Sequence, residues 1–219
     1  RKVLRRDLGV HLFAQSAQRD AAVLRSALTQ AALGRAVLVG TRSVAASERI
    51  GALLVAAGAP HQVLNAKQDV EESAVVACAG EPGRITVATN MAGRGTDIHL
   101  AAAVRSAGGL HVILTEFHDS TRIDRQLYGR SGRQGDPGSF ESLVALDDEL
   151  FTAYAPALQR WVRGHCRPDA QGHLPDWAAR ALRYWAQQRA EAHHADVRRQ
   201  TLSHERDTDR LLAFAGRPE

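Results

Sequence analysis

A glycine-rich segment with two arginines is the part of the sequence best suited to bind an anion. It runs from Gln126 to Gly138 and reads QLYGRSGRQGDPG. Arg130 and Arg133 are three residues apart, so they share a face if the segment is helical, and both could then point at one anion. Guanidinium groups suit phosphate because their planar fork donates parallel hydrogen bonds. The alternative interpretation is a solvated, arginine-rich turn.

The glycines of this segment argue against an ordinary helix. Gly129, Gly132 and Gly135 each cost about 1 kcal/mol of helix stability relative to alanine. A segment that accepts this cost is expected to need a close approach of its backbone to a ligand or to another chain segment.

A second candidate loop follows a short apolar run and reads ATNMAGRGTDI over residues 88–98. Its closely spaced glycines, Gly93 and Gly95, permit a tight turn with exposed backbone N–H groups. Arg94 and Asp97 flank Gly95 and Thr96, so the loop could place a cation near a phosphate and a carboxylate near a ribose hydroxyl. The alternative is a polar turn between a strand and a helix.

Short apolar runs alternate with helical patterns around these two segments. We expect strands over residues 36–39, 61–65, 84–89, 110–115 and 139–146, and helices over residues 19–33, 44–57, 69–79 and from about residue 119. Such an alternation predicts a three-layer α/β core with a mostly parallel sheet over about residues 18–150. Ligands in such sheets usually bind at the carboxyl ends of the strands, so the loops there are the expected sites of chemistry.

The two ends of the chain have a different character. Residues 1–18 are expected to be an irregular or extended lead-in. After Asp147 the strand-like runs stop, the chain carries all three tryptophans, and residues 176–212 show a long helical pattern. We therefore expect an all-α tail that packs partly outside the sheet domain.

Composition narrows the class of protein. The 219 residues are 44% hydrophobic and 24% charged, which supports a packed core. The net charge of +4 is too small to indicate a nucleic-acid-binding protein by itself. Two cysteines cannot form a disulfide framework or a four-ligand zinc site, so we expect no metal site. The first residue is not Met, and we expect the chain to be a piece of a longer protein.

Five strings together resemble the SecA family, the ATPases that drive preproteins across the bacterial membrane. They are VLVGTRS (37–43), HQVLNAK (61–67), ITVATNMAGRGTDI (85–98), GGLHVI (108–113) and RIDRQLYGRSGRQGDPGS (122–139). The third and fifth resemble motifs V and VI of superfamily 2 motor ATPases, and the whole combination is specific to SecA. The stretch RAEAHHADVRRQTL (189–202) is a weaker match to the family's long scaffold helix.

The resemblance implies a second RecA-like nucleotide-binding domain over residues 1–150 and a helical tail over residues 151–219. In this family ATP lies between two RecA-like domains, and the first supplies the Walker motifs and most contacts to Mg²⁺. The chain contains no G-x-x-x-x-G-K-[ST] motif. We therefore expect it to form one wall of the ATP cleft and to be inactive alone.

The resemblance also implies roles for individual residues. Asp97 would contact the nucleotide sugar, and Arg94 would lie on the phosphate side, with Gly95 and Thr96 in the same binding loop. Arg130 and Arg133 would be arginine fingers near the β- and γ-phosphates, oriented by Gln126. The implied partners are the first RecA-like domain, a preprotein or other polypeptide and a membrane translocon. The implied location is the cytoplasm or the inner face of the bacterial membrane, and no nucleic acid is expected.

The chain departs from the family pattern at several positions, and the sequence leaves two other functions open. Leu114, Phe117 and Thr121 replace the usual Gly, Arg and Arg, and Tyr128 stands where Arg is common. This pattern indicates a divergent member. One alternative is the C-terminal domain of a nucleic-acid helicase, which shares motif VI. The other is a SecA-like module that binds a partner or a nucleotide without turnover.

Overall fold

The computed structural model describes residues 4–64, 78–89 and 97–215, with the side chains of residues 205–215 excepted. The strands are β1 (Leu4–Phe13), β2 (Val37–Thr41), β3 (His61–Leu64), β4 (Ile85–Thr89), β5 (Leu110–Leu114), β6 (Pro137–Ala145) and β7 (His173–Leu174). The helices are α1 (Ser16–Ala32), α2 (Val44–Ala56), α3 (Ala102–Ser106), α4 (Thr121–Tyr128), α5 (Glu149–Tyr154), α6 (Pro156–His165) and α7 (Asp176–Ala215).

The strands of the described residues form one seven-stranded sheet in the order β3-β4-β2-β5-β6-β1-β7. Every neighbouring pair is parallel except β1 and β7, which pair antiparallel through Leu12 and Phe13. The mostly parallel sheet confirms the predicted fold class. Connections through helices are what parallel neighbours require, because a tight turn cannot join them.

Alternation along the strands sends successive side chains to opposite faces, and each face is covered. On one face, Val37, Val39 and Ile113 pack with α1 and α2 in one buried cluster. On the other, Leu38 and Val112 pack with α3 and partly buried Leu127 of α4. The result is the expected three-layer arrangement.

The first strand was not predicted. Residues 4–13, expected to be an irregular or extended lead-in, form β1, which runs parallel to β6 and lies inside the sheet. Its first half is mostly exposed and carries three charged residues, and only Leu12 and Phe13 at its end are fully buried, so the apolar pattern is short. The predicted helix over 69–79 lies mostly outside the described residues.

The helical tail shares a core with the sheet. Phe151 of α5, Val162 of α6 and Leu182 of α7 are fully buried in one cluster with Leu12 and Val144 of the sheet. The tail is mainly helical, as expected, but it also contributes β7, a two-residue strand at the sheet edge. Beyond about residue 195 the described side chains of α7 are exposed.

Candidate functional site

The two segments singled out from the sequence meet in space. Arg133 Nη1 donates to Asp97 Oδ1 at 3.0 Å, and Gln134 Nε2 donates to Asp97 Oδ2 at 2.8 Å. Arg133 Nε also donates to the carbonyl of Gly129 at 2.8 Å. The side chains of Arg133 and Asp97 are 39% and 31% exposed, so the pair is accessible from solvent. The fold thus joins residues that are 36 positions apart in the chain.

The electrostatics of this pair keep the carboxylate charged. The hydrogen bond from Arg133 lowers the pKa of Asp97 below its ordinary value, and the bond from Gln134 acts in the same direction. Hydrogen bonds to an ionised carboxylate favour the charged form. At neutral pH the site therefore carries a fixed negative charge beside a fixed guanidinium.

Arg130 and Arg133 do not share a helical face. Helix α4 ends at Tyr128 with Gly129 as its C-cap, and both arginines lie in the turns that follow. Gly132 and Gly135 have φ values of +67° and +91°, a region that glycine enters without steric cost. Gln134 has a φ of +54°, which costs a non-glycine residue about 1 kcal/mol or more. We call residues 129–136 the arginine loop.

The arginine loop does not lie at the carboxyl ends of the strands, where ligands of parallel sheets usually bind. Helix α4 starts after the carboxyl end of β5 and runs back along the sheet, because β5 and β6 are parallel and the chain must return to start β6. Eight residues of helix span about 12 Å. The loop consequently reaches the amino-terminal ends of β1 and β6. At the carboxyl edge of the sheet, Arg42 after β2 forms an ion pair with Asp119 after β5.

Arg5 of β1 contacts the end of α4 and the arginine loop. Its Nη1 donates to the carbonyl of Tyr128 at 2.9 Å, and its guanidinium lies 5.4 Å from the centre of the Phe140 ring. A side chain at Gly132 would place its Cβ 2.8 Å from Arg5 Cβ, so the loop needs glycine to approach β1. Arg5 was not among the predicted site residues, because residues 1–18 were expected to be an irregular or extended lead-in. The apolar residues at the end of β1 were the available signal.

A second close approach positions Asp97. The N–H of Ala101 donates to the carbonyl of Gly80 at 3.1 Å, which fixes the segment that begins with Asp97. A Cβ at Gly80 would lie only 2.0 Å from the carbonyl oxygen of His99. This segment can therefore pass Gly80 only because that residue has no side chain.

The remaining predicted site residues are placed as follows. Gln126 is exposed on α4, one turn before the arginine loop, and Arg130 is partly buried within the loop. Arg94, Gly95 and Thr96 lie outside the described residues. Helix α4 packs closely on β2, because a Cβ at Gly40 would come 2.3 Å from a methyl carbon of Leu127. Gln126 is thereby carried on a helix seated directly on the sheet.

Comparisons with known proteins agree with the resemblance seen in the sequence. A family model described as the SecA P-loop domain matches residues 2–105 and 101–162. The chain belongs to the SecA family. It is 50% identical over its whole length to protein translocase subunit SecA 2 of Nitrosospira multiformis, and 48% identical over 98% of its length to SecA 3 of Magnetococcus marinus. It spans about a third (33%) of the length of each of these curated relatives.

A solved structure supports the fold assignment. The DEAD-box protein SrmB of E. coli, in its complex with the regulator of ribonuclease activity A, superposes with a TM-score of 0.53. The match covers 68% of this chain and 82% of that one, at 23% sequence identity. The α/β core therefore has the RecA-like fold of DEAD-box helicase domains.

Two further kinds of feature are absent from the part of the chain that the structure describes. None of the helices described for this chain is long and apolar enough to cross a membrane. Within the same residues, no group of three or more His, Cys, Asp or Glu side chains could hold a metal ion.

Proposed function

We propose that this SecA-family chain forms one wall of the ATP cleft of a protein-translocating ATPase, with Arg130 and Arg133 as its arginine fingers. The observation that carries the proposal is the ion pair of Arg133 with Asp97, which links the two motifs expected to face the nucleotide. Both side chains are about one-third exposed, so this pair can be reached by a ligand or by another domain.

The residues of this chain suit one side of a nucleotide-binding site and do not make up a complete site. The arginine loop offers guanidinium groups for phosphate oxygens. The sequence has no Walker A motif, and its two lysines, Lys2 and Lys67, lie outside any such pattern. In the proposal, the first RecA-like domain of the same protein holds Mg²⁺ and the phosphate chain.

Asp97 orients Arg133 in this proposal. Two of the three guanidinium nitrogens, Nε and Nη1, bond to Gly129 and Asp97, so the plane of the group is fixed. Nη2 is the nitrogen assigned to the phosphate. Bound ATP supplies the phosphoryl group that is transferred to water, and a preoriented cation stabilises the charge that develops there without reorganising. Gln126 and Arg94 complete the same wall.

The substrate and partners follow from the family. Curated relatives are named protein translocase subunits, so a preprotein or another polypeptide is the proposed cargo. A membrane translocon is the proposed partner, and the proposed location of the motor is the cytoplasm or the inner face of the membrane.

The test is steady-state ATP turnover of the intact protein that contains this chain. Arg133→Ala should lower turnover by about 10³- to 10⁵-fold, as for other arginine fingers, while nucleotide affinity changes little. Arg133→Lys should rescue little, because an ammonium group cannot reproduce the planar fork. Arg130→Ala should also lower turnover and weaken closure between the two RecA-like domains.

The matched control is Arg25→Ala, which removes an exposed arginine from α1 on the opposite face of the sheet. Its turnover and melting temperature should equal those of the parent. If Arg133→Ala keeps parental turnover, or loses it only by lowering the melting temperature, the finger assignment is wrong. Stimulation by single-stranded RNA or DNA instead of by a polypeptide would favour the helicase alternative.

A further inference from the structure

A fully buried carboxylate lies at the start of the helix that carries the arginine loop. Asp124 of α4 has no exposed surface. One carboxylate oxygen, Oδ1, accepts from the backbone N–H of His118 at 3.0 Å and lies 2.8 Å from His118 Nδ1. The other, Oδ2, accepts from Gln187 Nε2 at 2.7 Å and from Arg183 Nη2 at 3.3 Å. A buried carboxylate needs such partners because its desolvation is costly.

Gln187 of α7 makes every hydrogen bond that its amide group allows. Its Nε2 donates to Asp124 and to the carbonyl of His118, the second at 3.0 Å. Its Oε1 accepts from Thr121 Oγ1 at 2.9 Å and from Arg183 Nε at 3.2 Å. An amide has two N–H donors and one oxygen with two lone pairs, so this arrangement is saturated. Gln187 is 3% exposed, which shields these bonds from water.

Arg183 of α7 also contacts Asp124 and Gln187. Its guanidinium lies 4.6 Å from the centre of the Phe117 ring, within the range of a cation–π contact. The same group bonds to Gln187 and Asp124. Two residues of α7, one turn apart, thus hold the first turn of α4.

Helix α4 transmits this contact to the arginine loop. It has only eight residues, and Asp124 lies one turn from its C-cap at Gly129. The carbonyl of Gly129 accepts the bond from Arg133 Nε that helps to fix the guanidinium. Because a short helix moves as a rigid unit, a shift of its first turn also displaces Gly129 and, with it, Arg133.

We propose that Gln187 is a positioning residue for ATP turnover, which it supports by holding α4, and so Arg133, in register with the long helix α7. This inference rests on the proposed function of Arg133. It makes α7 an element whose displacement changes turnover, because movement of its Gln187 turn breaks the two hydrogen bonds that Gln187 makes with Thr121 and Asp124 of the arginine-bearing helix. The bond to the carbonyl of His118, just before that helix, is lost with them.

The closing experiment compares turnover and hydrogen exchange. In the intact protein, Gln187→Ala should lower kcat at least about tenfold with little change in KM, because several buried bonds are lost and partners are left unpaired. Gln187→Glu keeps the shape but removes both donors beside Asp124, so it should be no better than alanine. In the 219-residue chain, both variants should speed hydrogen exchange of the α4 amides.

Two neighbouring residues of α7 provide matched controls. Gln188 is exposed, so Gln188→Ala should have parental turnover and exchange. Glu191 accepts an exposed bond from Ser120 at 2.9 Å, so Glu191→Ala should have at most a twofold effect. If Gln187→Ala melts below the assay temperature, Thr121→Val removes one bond to the same amide and should lower kcat about two- to tenfold.

The outcomes separate this inference from the proposed function. Parental kcat in Gln187→Ala, with Arg133→Ala inactive, overturns the positioning role and leaves the finger assignment standing. Faster exchange of α4 with parental kcat overturns the link between α4 and turnover. Equal loss of kcat in Gln187→Ala and Gln188→Ala also overturns the inference. If Arg133→Ala itself is active, the proposed function fails, and the link from Gln187 to turnover fails with it.

Discussion

The ion pair between Asp97 and Arg133 contributes little to the stability of the fold, and its main effect is to orient the Arg133 guanidinium. Exposed and half-exposed ion pairs typically stabilise a protein by less than about 1 kcal/mol. Both side chains are about one-third exposed, so this range applies here. The pair is better understood as a device that fixes the direction of a guanidinium group.

The lowered pKa of Asp97 predicts a pH dependence at the residue scale. Arg133 favours the ionised carboxylate in the folded state, so the native pKa lies below that of the unfolded chain. The stabilisation is therefore fully present above about pH 5 and is lost as the pH falls through the native pKa. Asp97→Asn should lower the free energy of unfolding at pH 7 by less than about 1 kcal/mol, and this difference should shrink below pH 4.

Urea unfolding of the parent and variant from pH 3 to pH 8 measures this difference. Asp196→Asn, on an exposed part of α7, is the control and should follow the parent at every pH. A difference between the parent and Asp97→Asn that grows on acidification would contradict the assigned direction of the pKa shift.

At the scale of elements, the segment after Asp97 and the arginine loop each pass a neighbouring segment at a glycine, where there is no room for a side chain. Gly80 lets the segment after Asp97 pass, and Gly132 lets the arginine loop rest on β1. Both neighbours are backbone or near-backbone atoms, which cannot move aside as the end of a flexible side chain can. The site is thus assembled by close packing of loops on strand ends.

Gly80→Ala should destabilise the chain and disturb the pair of Asp97 with Arg133. The added Cβ would meet the His99 carbonyl oxygen at 2.0 Å, so the backbone must move. Overpacking of this kind costs about 1–3 kcal/mol. Thermal melting measures the loss, and the pKa of Asp97, followed by NMR, should rise towards its ordinary value.

Gly164→Ala is the matched control for this substitution. Gly164 lies in α6, and a Cβ there would meet open space. Alanine should leave stability unchanged or raise it by up to about 1 kcal/mol, because it lowers the entropy of the unfolded chain. Equal melting temperatures for Gly80→Ala and the parent would show that the 97–101 segment is not held against Gly80.

At the scale of the whole molecule, the helical tail is only partly an appendage. Ala178, Ala179, Leu182, Ala186 and Ala190 of α7 are buried in one cluster with sheet residues. The described side chains from Asp196 to His204 are exposed. The first half of α7 therefore belongs to the folded core, and the second half projects from it. The division into residues 1–150 and 151–219 remains a prediction about domains, which melting of a 1–150 chain can test.

Truncation of α7 should separate these two halves. A chain that ends at residue 195 should melt within about 2 °C of the parent, since changes at exposed positions are usually within ±0.5 kcal/mol. A chain that ends at residue 175 uncovers Phe151 and Val162 and removes Gln187 and Arg183, the two partners of Asp124 Oδ2, so it should lose cooperative melting. Parental melting of this shorter chain would show that α7 is dispensable for the core.

Much of this architecture was predictable from local patterns. Apolar runs gave the positions of β2 to β6 to within two residues, and glycines after residues 33 and 57 marked the ends of α1 and α2. The two anion-binding candidates were also visible, because glycine and arginine spacing is a property of consecutive residues. The charged start of β1 and the two-residue β7 were missed, because neither carries a long enough apolar pattern.

The sequence alone therefore determined the α/β class, the family and the identity of Asp97, Arg130 and Arg133 as candidate site residues. Only the tertiary structure decided which groups these residues meet. Arg5 and the carbonyl of Tyr128 are 123 positions apart, and Asp124 and Gln187 are 63 apart. Contacts at such separations depend on how helices and strands pack, which periodicity does not specify. The same reason places the arginine loop at the amino-terminal ends of β1 and β6, because the return path of α4 is set by the parallel pairing of β5 and β6.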